Sequence, residues 1–275
     1  MAEASINLFD DEVARVYDKA LVPVIFEPYA QDIAARVKAQ SPNNVLEVAC
    51  GTGVVTRALA NVLPHTCAIT ATDLSGAMVA YGERIGTARF VKWHQADAMA
   101  LPYADESFDV VVCQFGAMFF PDRVTAYREV RRVLRPHGTF LFNVWGSIED
   151  NEFTAVVMEA LSSRYPHNPI EFMARIPHGY GSATQIESDV RSAGFATCNL
   201  SQRDDTSTAV SPEQCAIALC QGTPVRNEIE KREPGGLEHA TAAAAEAIRQ
   251  RFGDGQIRAR MSAFVVNAKS GAVTN

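Results

Sequence analysis

The segment 45–54, VLEVACGTGV, is an apolar run that closes in two glycines, Gly51 and Gly53, and a carboxylate, Asp73, follows Gly53 by 20 residues. Glycine permits positive φ and lets the backbone approach a ligand with no Cβ in the way. A carboxylate at the end of the next apolar run accepts hydrogen bonds from both hydroxyls of a ribose. The chemistry implied is capture of a nucleoside-bearing ligand. A dinucleotide would call for a third glycine three residues after Gly53 and a pyrophosphate at the helix N-terminus. Thr56 stands there instead. The acidic Glu47, just before the turn, fits poorly beside a pyrophosphate and better beside a cationic or ammonium-bearing ligand.

Elements that position these residues follow from periodicity. Apolar runs at 45–49, 68–72, 90–94, 108–113 and 139–144 alternate with helical stretches at 54–63, 76–85 and 124–134. Short β-branched runs separated by helices make βαβ units and a mostly parallel sheet covered on both faces. Two further strands are expected at 196–202 and 257–267, with helices at 152–161, 212–221 and 237–252 and one ending at Gly194. Ahead of the turn at 41–44, Val13, Val16, Tyr17 and Leu21 have helical spacing. Pro23 and Pro28 are expected to break that helix, and a second one carries Tyr29, Ile33, Ala34 and Val37. Ser75 is the expected N-cap of the helix at 76–85.

The chain has 275 residues, 25 Lys and Arg against 32 Asp and Glu, and a net charge of −7. An acidic balance argues against a phosphate-backbone partner, so no nucleic acid is expected. No run approaches the ~20 apolar residues of a membrane span. Asp10, Asp11 and Glu12 stand where a signal peptide would be apolar, so a cytoplasmic protein is expected. Six scattered cysteines read as reduced, and six histidines show no metal spacing, so no metal is expected. Arg128, Arg131, Arg132 and Arg135 share one helix face, read as solvated near the helix C-terminus.

LEVACGTG (46–53) followed by TDLS (72–75) resembles the motifs of class I S-adenosylmethionine-dependent methyltransferases. The small-molecule group that includes the ubiquinone- and menaquinone-biosynthesis methylases is the most similar. QADA (95–98), SFDVV (107–111) and RVLRPHG (132–138) match in the same order. Ala49 and His137 stand where that family often has glycine. The resemblance implies a single Rossmann-like α/β domain, a doubly wound seven-stranded sheet in the order 3-2-1-4-5-7-6 with the last strand antiparallel. It also implies a helical lid (1–42), a cofactor core (43–145), a substrate-pocket insert (146–192) and a completing C-terminal part (193–275). Its cofactor is S-adenosyl-L-methionine. By resemblance, Ala49, Gly51 and Gly53 cradle the methionyl part and ribose, and Asp73 accepts the ribose hydroxyls. Leu74 and Met78 pack on adenine, with Asp97 and Ala98 at its amino edge. Cys113 and Gln114 approach the methionyl group, and Tyr17 reaches the cofactor; Glu47 completes the set.

Phe119, Phe120 and Trp145 fall at strand C-termini, where open α/β sheets bind ligands. With His178 and Tyr180 of the insert they are candidates for the substrate pocket, and each also reads as core or surface. Methyl transfer from a sulfonium needs alignment more than a strong catalyst. A general base helps only some acceptors, so His178 and Tyr17 are the only candidates for one. The expected partner is a small organic methyl acceptor; homodimer formation stays open. An NAD(P)-dependent oxidoreductase and a noncatalytic S-adenosylmethionine-binding protein remain alternatives.

Overall fold

The computed structural model describes residues 11–271, with Asp11 described by its backbone alone. The first ten residues of the expected lid, with Asp10, lie outside it. Strands β1 (Asn44–Val48), β2 (Ala68–Asp73), β3 (Lys92–Gln95), β4 (Phe108–Gln114), β5 (Leu134–Trp145), β6 (Thr197–Ala209) and β7 (Ile257–Lys269) form one sheet. Their order is β3-β2-β1-β4-β5-β7-β6. Pairs among β1 to β5 are parallel, and β7 runs antiparallel to both β5 and β6. This is the expected order.

Strands β1 and β4 are buried on both faces, which is why their sequences do not alternate. On one face, Ala30, Ile33 and Val37 of α2 (Glu27–Lys38) pack with Val55 and Leu59 of α3 (Val54–Val62). The α4 helix (Gly76–Ile85) begins at its expected cap, where Ser75 Oγ accepts from Met78 N at 3.3 Å. On the other face, Tyr127 and Val130 of α5 (Arg123–Val133) meet Phe140 and Phe142 of β5. A short helix, α1 (Asp11–Val16), opens the described chain; α6 (Glu152–Arg164), α7 (Phe172–Arg175) and α8 (Ala183–Ser192) follow β5. Between β6 and β7 lie α9 (Pro212–Gln221), α10 (Val225–Arg232) and α11 (Leu237–Phe252).

Four expectations change. The prolines do not break the N-terminal helix: α1 runs into a π-helix, Tyr17–Phe26, with Pro23 inside it, and then into α2 with Pro28 in its first turn. A wider i→i+5 ladder absorbs what an α-helix would not. Pro28 has no N–H to give the Val24 carbonyl four residues back, and the buried Ser207 hydroxyl donates to that carbonyl at 2.7 Å.

The third strand starts two residues later than its apolar run, and Phe90 at the start of that run is 82% exposed. The fifth strand starts at Leu134, where α5 ends, ahead of the apolar run expected at 139–144, and its pairing with β4 is irregular between Leu134 and Thr139. There His137 takes φ 62°, and Arg135 pairs with Asp109 Oδ1 at 2.6 Å. Asp109 Oδ2 accepts from the backbone N–H groups of Asn43 and Asn44, each at 2.8 Å, fixing the entry to β1.

The sixth strand is longer than expected: β6 pairs with β7 from Thr197 to Ala209. Its second half is polar because it is an edge strand whose backbone, not its side chains, holds it. Arg203 there pairs with Asp32 of α2 and Asp205.

Candidate functional site

The turn after β1 holds two left-handed residues before α3 besides Gly53: Ala49 at φ 55° and Gly51 at φ 54°. Gly53, at φ 87°, is required twice over, since a Cβ there would stand 2.5 Å from the Trp93 ring. Asp73 closes the turn from the next strand. Its Oδ2 accepts from Gly51 N and its Oδ1 from Ser75 N, both at 2.8 Å. Burial pushes its pKa above the usual carboxylate value, while the backbone donors pull the other way.

Glu47, one turn deeper, is 2% exposed and takes a 2.5 Å hydrogen bond from the Thr56 hydroxyl. Burial pushes its pKa up to about 8. Thr56 thus serves the carboxylate instead of clearing space for a pyrophosphate.

A cavity of about 200 Å³ opens at the C-terminal ends of β1, β2, β4 and β5. One end is polar and built from Gly51, Asp73, Ser75 and Asp97. Asp97 follows β3, and its Oδ1 accepts from Met99 N at 2.8 Å, which fixes its carboxylate. The other end is apolar. The π-helix roofs it with Leu21, Ile25 and Phe26; Phe115 and Trp145 stack at 3.7 Å between centroids and 8° between planes; Phe172 and Met173 of α7 close it. Tyr17 joins the two ends, its ring 5.2 Å from that of Phe26 and its hydroxyl 3.8 Å from where a Gly51 Cβ would be. Burial, then the charge of Asp73, raises its pKa, so the hydroxyl stays protonated.

Of the residues singled out from the sequence, Tyr17, Ala49, Gly51, Asp73, Leu74, Met78, Asp97, Ala98, Gln114, Phe119, Phe120 and Trp145 line this cavity. Glu47, Gly53 and Cys113 lie behind its wall; Cys113 is fully buried, and burial pushes its thiol up to about 12. His178 lines a smaller neighbouring cavity of about 20 Å³ that shares Ile25, Trp145 and Met173 with the larger one. Its Nδ1 lies 2.9 Å from the Gly146 carbonyl oxygen, so the neutral ring donates there and keeps Nε2 as its acceptor. Burial lowers its pKa.

Tyr180 points elsewhere: its hydroxyl donates to Asp189 Oδ2 at 2.8 Å, and Arg123 lies 4.2 Å above its ring. The arginine face is not merely solvated, because Arg132 binds Glu129, Asp105 and the Leu101 and Tyr103 carbonyls.

The roof, Phe115 and the walls from α7 and Thr223 were not singled out. Leu21 continues the helical spacing from Tyr17, which was the available signal for the roof. Thr223 carries none, because apart from its neighbours Gly222 and Pro224 every other wall of the cavity lies far from it in sequence, at Pro177 or earlier. Among the described residues no cluster of His, Cys, Asp and Glu could hold a metal ion, and no helix is long and apolar enough to cross a membrane.

Residues 46–142, which carry the glycine turn, Asp73 and Asp97, match the family described as a methyltransferase domain. Over this segment the chain is similar to methyltransferase domains. The chain is 30% identical over 142 residues to a demethylmenaquinone methyltransferase of Alkalihalophilus pseudofirmus, covering 50% of this chain and 60% of that relative. It is 33% identical over 130 residues to one of Staphylococcus aureus, covering 46% and 54%. The chain therefore matches between about half and three-fifths of the length of these curated relatives.

In three dimensions the methyltransferase fold extends beyond the matched segment. The cyclase SpnF superposes with TM-score 0.62 at 18% identity, covering 99% of this chain and 98% of that one. A Haemonchus contortus phosphoethanolamine N-methyltransferase, solved with S-adenosylhomocysteine, gives 0.59 at 16%, covering 94% and 58%. These likenesses fix the fold; a cyclase among them shows that the fold alone does not name the reaction.

Proposed function

We propose that the chain transfers a methyl group from S-adenosylmethionine to a small apolar acceptor. The observation that carries this reading is one continuous cavity with a ribose-type carboxylate at its polar end and an aromatic chamber at the other. S-Adenosylmethionine supplies an activated methyl on a sulfonium, with a neutral thioether as leaving group.

The residues present fit that group. Asp73 offers oxygens that already order Gly51 and Ser75, and it meets ribose hydroxyls at the cavity edge. A Cβ at Gly51 would meet the Tyr17 ring only at ordinary contact distance, so it is the positive φ of 54° that calls for glycine there. Leu74, Met78 and Ala98 give a flat apolar slot for adenine, with Asp97 at its rim. Ala49, Gln114 and Tyr17 face the junction where the methionyl part lies. Glu47 and Cys113 act from behind the wall, and Gly53 shapes the turn. Phe119, Phe120 and Trp145 face the acceptor, while the roof excludes water and aligns the two reactants.

Nicotinamide chemistry is disfavoured by Thr56, which stands where a dinucleotide turn needs its third glycine and whose hydroxyl is committed to Glu47. A binding protein without turnover would share every cofactor contact. Calorimetric titration with S-adenosylmethionine, its demethylated product and NADH, repeated on Asp73→Ala, tests the reading. Micromolar binding of the sulfonium pair, weakened in the variant and absent for NADH, is expected; binding of NADH alone overturns it.

A further inference from the structure

Gln114, the last residue of β4, lines the cavity, and its Oε1 is buried with no hydrogen-bond partner. The orientation of the amide is set from the roof. Its Nε2 donates to the Phe26 carbonyl at 3.2 Å, and because a carbonyl only accepts, the amide oxygen must face the other way. Phe26 ends the π-helix, with its ring 5.5 Å from that of Phe115 and 6.1 Å from that of Trp145. The amide is thus pinned where the polar end of the cavity meets the aromatic chamber, with its oxygen left to a ligand.

A buried acceptor left unpaired is costly, so in a ligand-binding cavity it marks where a donor arrives. The other polar side chains at the walls are already engaged. Thr223 donates its hydroxyl to the Leu219 carbonyl at 2.7 Å and accepts from Val225 N at 3.2 Å. Asp73 and Asp97 stand at the cofactor end, are acceptors themselves and are held by backbone N–H groups. An amide oxygen offers only lone pairs, which a donor group satisfies and an anion does not. It is also too weak a base to take a proton, so it orients a ligand without activating it.

We propose that Gln114 Oε1 selects the methyl acceptor by receiving a hydrogen bond from an uncharged O–H or N–H group carried on an apolar ring. The ring packs among Phe26, Phe115 and Trp145, and the bond to Gln114 fixes which way it is turned. Gln114 is then a specificity-determining residue. A ligand of the same shape without the donor leaves Oε1 unpaired and binds more weakly, as in any site built to bond a substrate hydroxyl. This inference rests on the S-adenosylmethionine reading above.

The test uses the full chain saturated with S-adenosylhomocysteine and two probes at about pH 7: 2-naphthol, whose hydroxyl is protonated there, and naphthalene, which has the same rings and no donor. Fluorescence titration gives the affinity of each for the wild type, Gln114→Met and Gln114→Glu, and the readout is the ratio of naphthol to naphthalene affinity. That ratio is expected to be at least about tenfold higher in the wild type than in Gln114→Met, and Gln114→Glu, which keeps an oxygen acceptor, should retain the wild-type preference. An equal ratio in wild type and Gln114→Met, or no binding of 2-naphthol to the wild type, overturns the proposal. An equal ratio combined with weaker S-adenosylhomocysteine binding by Gln114→Met also overturns it and gives the oxygen to the methionyl ammonium. Loss of the preference in both variants alike assigns Gln114 a structural role and overturns it as well. Failure of S-adenosylhomocysteine to bind the wild type instead overturns the S-adenosylmethionine reading itself.

Discussion

The methyl group of Ala49 and the α-carbon of Gly116 share one space: a Cβ built on Gly116 would stand 2.4 Å from Ala49 Cβ. The loop after β1 and the loop after β4 thus touch directly beneath the cavity, and each sets the other's residue type. Gly116→Ala is expected to cost about 1–3 kcal/mol by overpacking. Ala49→Gly should stabilise by about 0.5–1 kcal/mol, since alanine at φ 55° is strained. In the double variant, Ala49→Gly should recover only part of the Gly116→Ala loss, because Cys113 Sγ would still lie 2.8 Å from the new Cβ. Urea unfolding of both singles and the double gives the coupling; simple additivity would contradict the shared space.

Replacing the ribose-type carboxylate should separate binding from folding. Asp73→Asn keeps one carbonyl oxygen for Gly51 or Ser75, so the loop stays formed. Affinity for S-adenosylhomocysteine is expected to fall at least about tenfold, as for loss of a charged hydrogen-bond acceptor, with the melting temperature nearly unchanged. Unaltered affinity by calorimetry would remove Asp73 from the binding site.

The buried carboxyl of Glu47 makes stability depend on pH. In the unfolded chain it ionises near 4.5, whereas in the fold burial holds its proton up to about 8. Between those values the folded state binds the extra proton, so stability falls as pH rises and levels off above about 8. The slope should approach no more than about 1.4 kcal/mol per pH unit, and Glu47→Gln should flatten it. Unfolding midpoints collected across that window check this; a wild-type curve that rises would contradict it.

Legibility followed backbone punctuation. The strand order came with the family resemblance, and the polar half of the cavity could be read because glycines and short carboxylates mark strand ends, where ligand contacts in such sheets gather. The apolar half could be read only in part. Phe119, Phe120 and Trp145 were expected from their place at strand C-termini, whereas Phe115 looks like any core residue until the fold stacks it on Trp145, and the π-helix roof contains Pro23, which sequence logic reads as a stop. The polar half of β6, with Arg203, Asp204 and Asp205 in succession, lacked any alternation, because its order comes from backbone pairing with Met261, Ser262 and Ala263. Tyr180 was read as a pocket residue from its loop alone, while its hydroxyl is committed to Asp189.

Tyr180→Phe therefore separates support from contact. It leaves Asp189 with Arg123 and Gln185 but without its buried hydroxyl donor. A loss of about 1–3 kcal/mol in stability is expected, with affinity for S-adenosylhomocysteine unchanged. Weaker cofactor binding at unchanged stability would return Tyr180 to the pocket.

The roof depends on a similar substitution of one donor for another. Ser207→Ala leaves the Val24 carbonyl without its 2.7 Å donor, at a cost of about 1–3 kcal/mol. Amide hydrogen exchange should quicken across Tyr17–Phe26 more than across α3. Uniform acceleration along the chain would show a general loss of stability instead.

The place of β7 between β5 and β6 carries a consequence for synthesis of the chain. The glycine turn, Asp73 and Asp97 leave the ribosome early, but β5 waits for a partner encoded more than a hundred residues later. Until β7 slides in, β5 presents an unpaired edge, and the segment bearing Thr223 has no sheet to hold it against the cavity. Pairings so distant in sequence form slowly. A nascent chain halted before Ile257 would thus expose its ligand-binding motifs without a closed chamber.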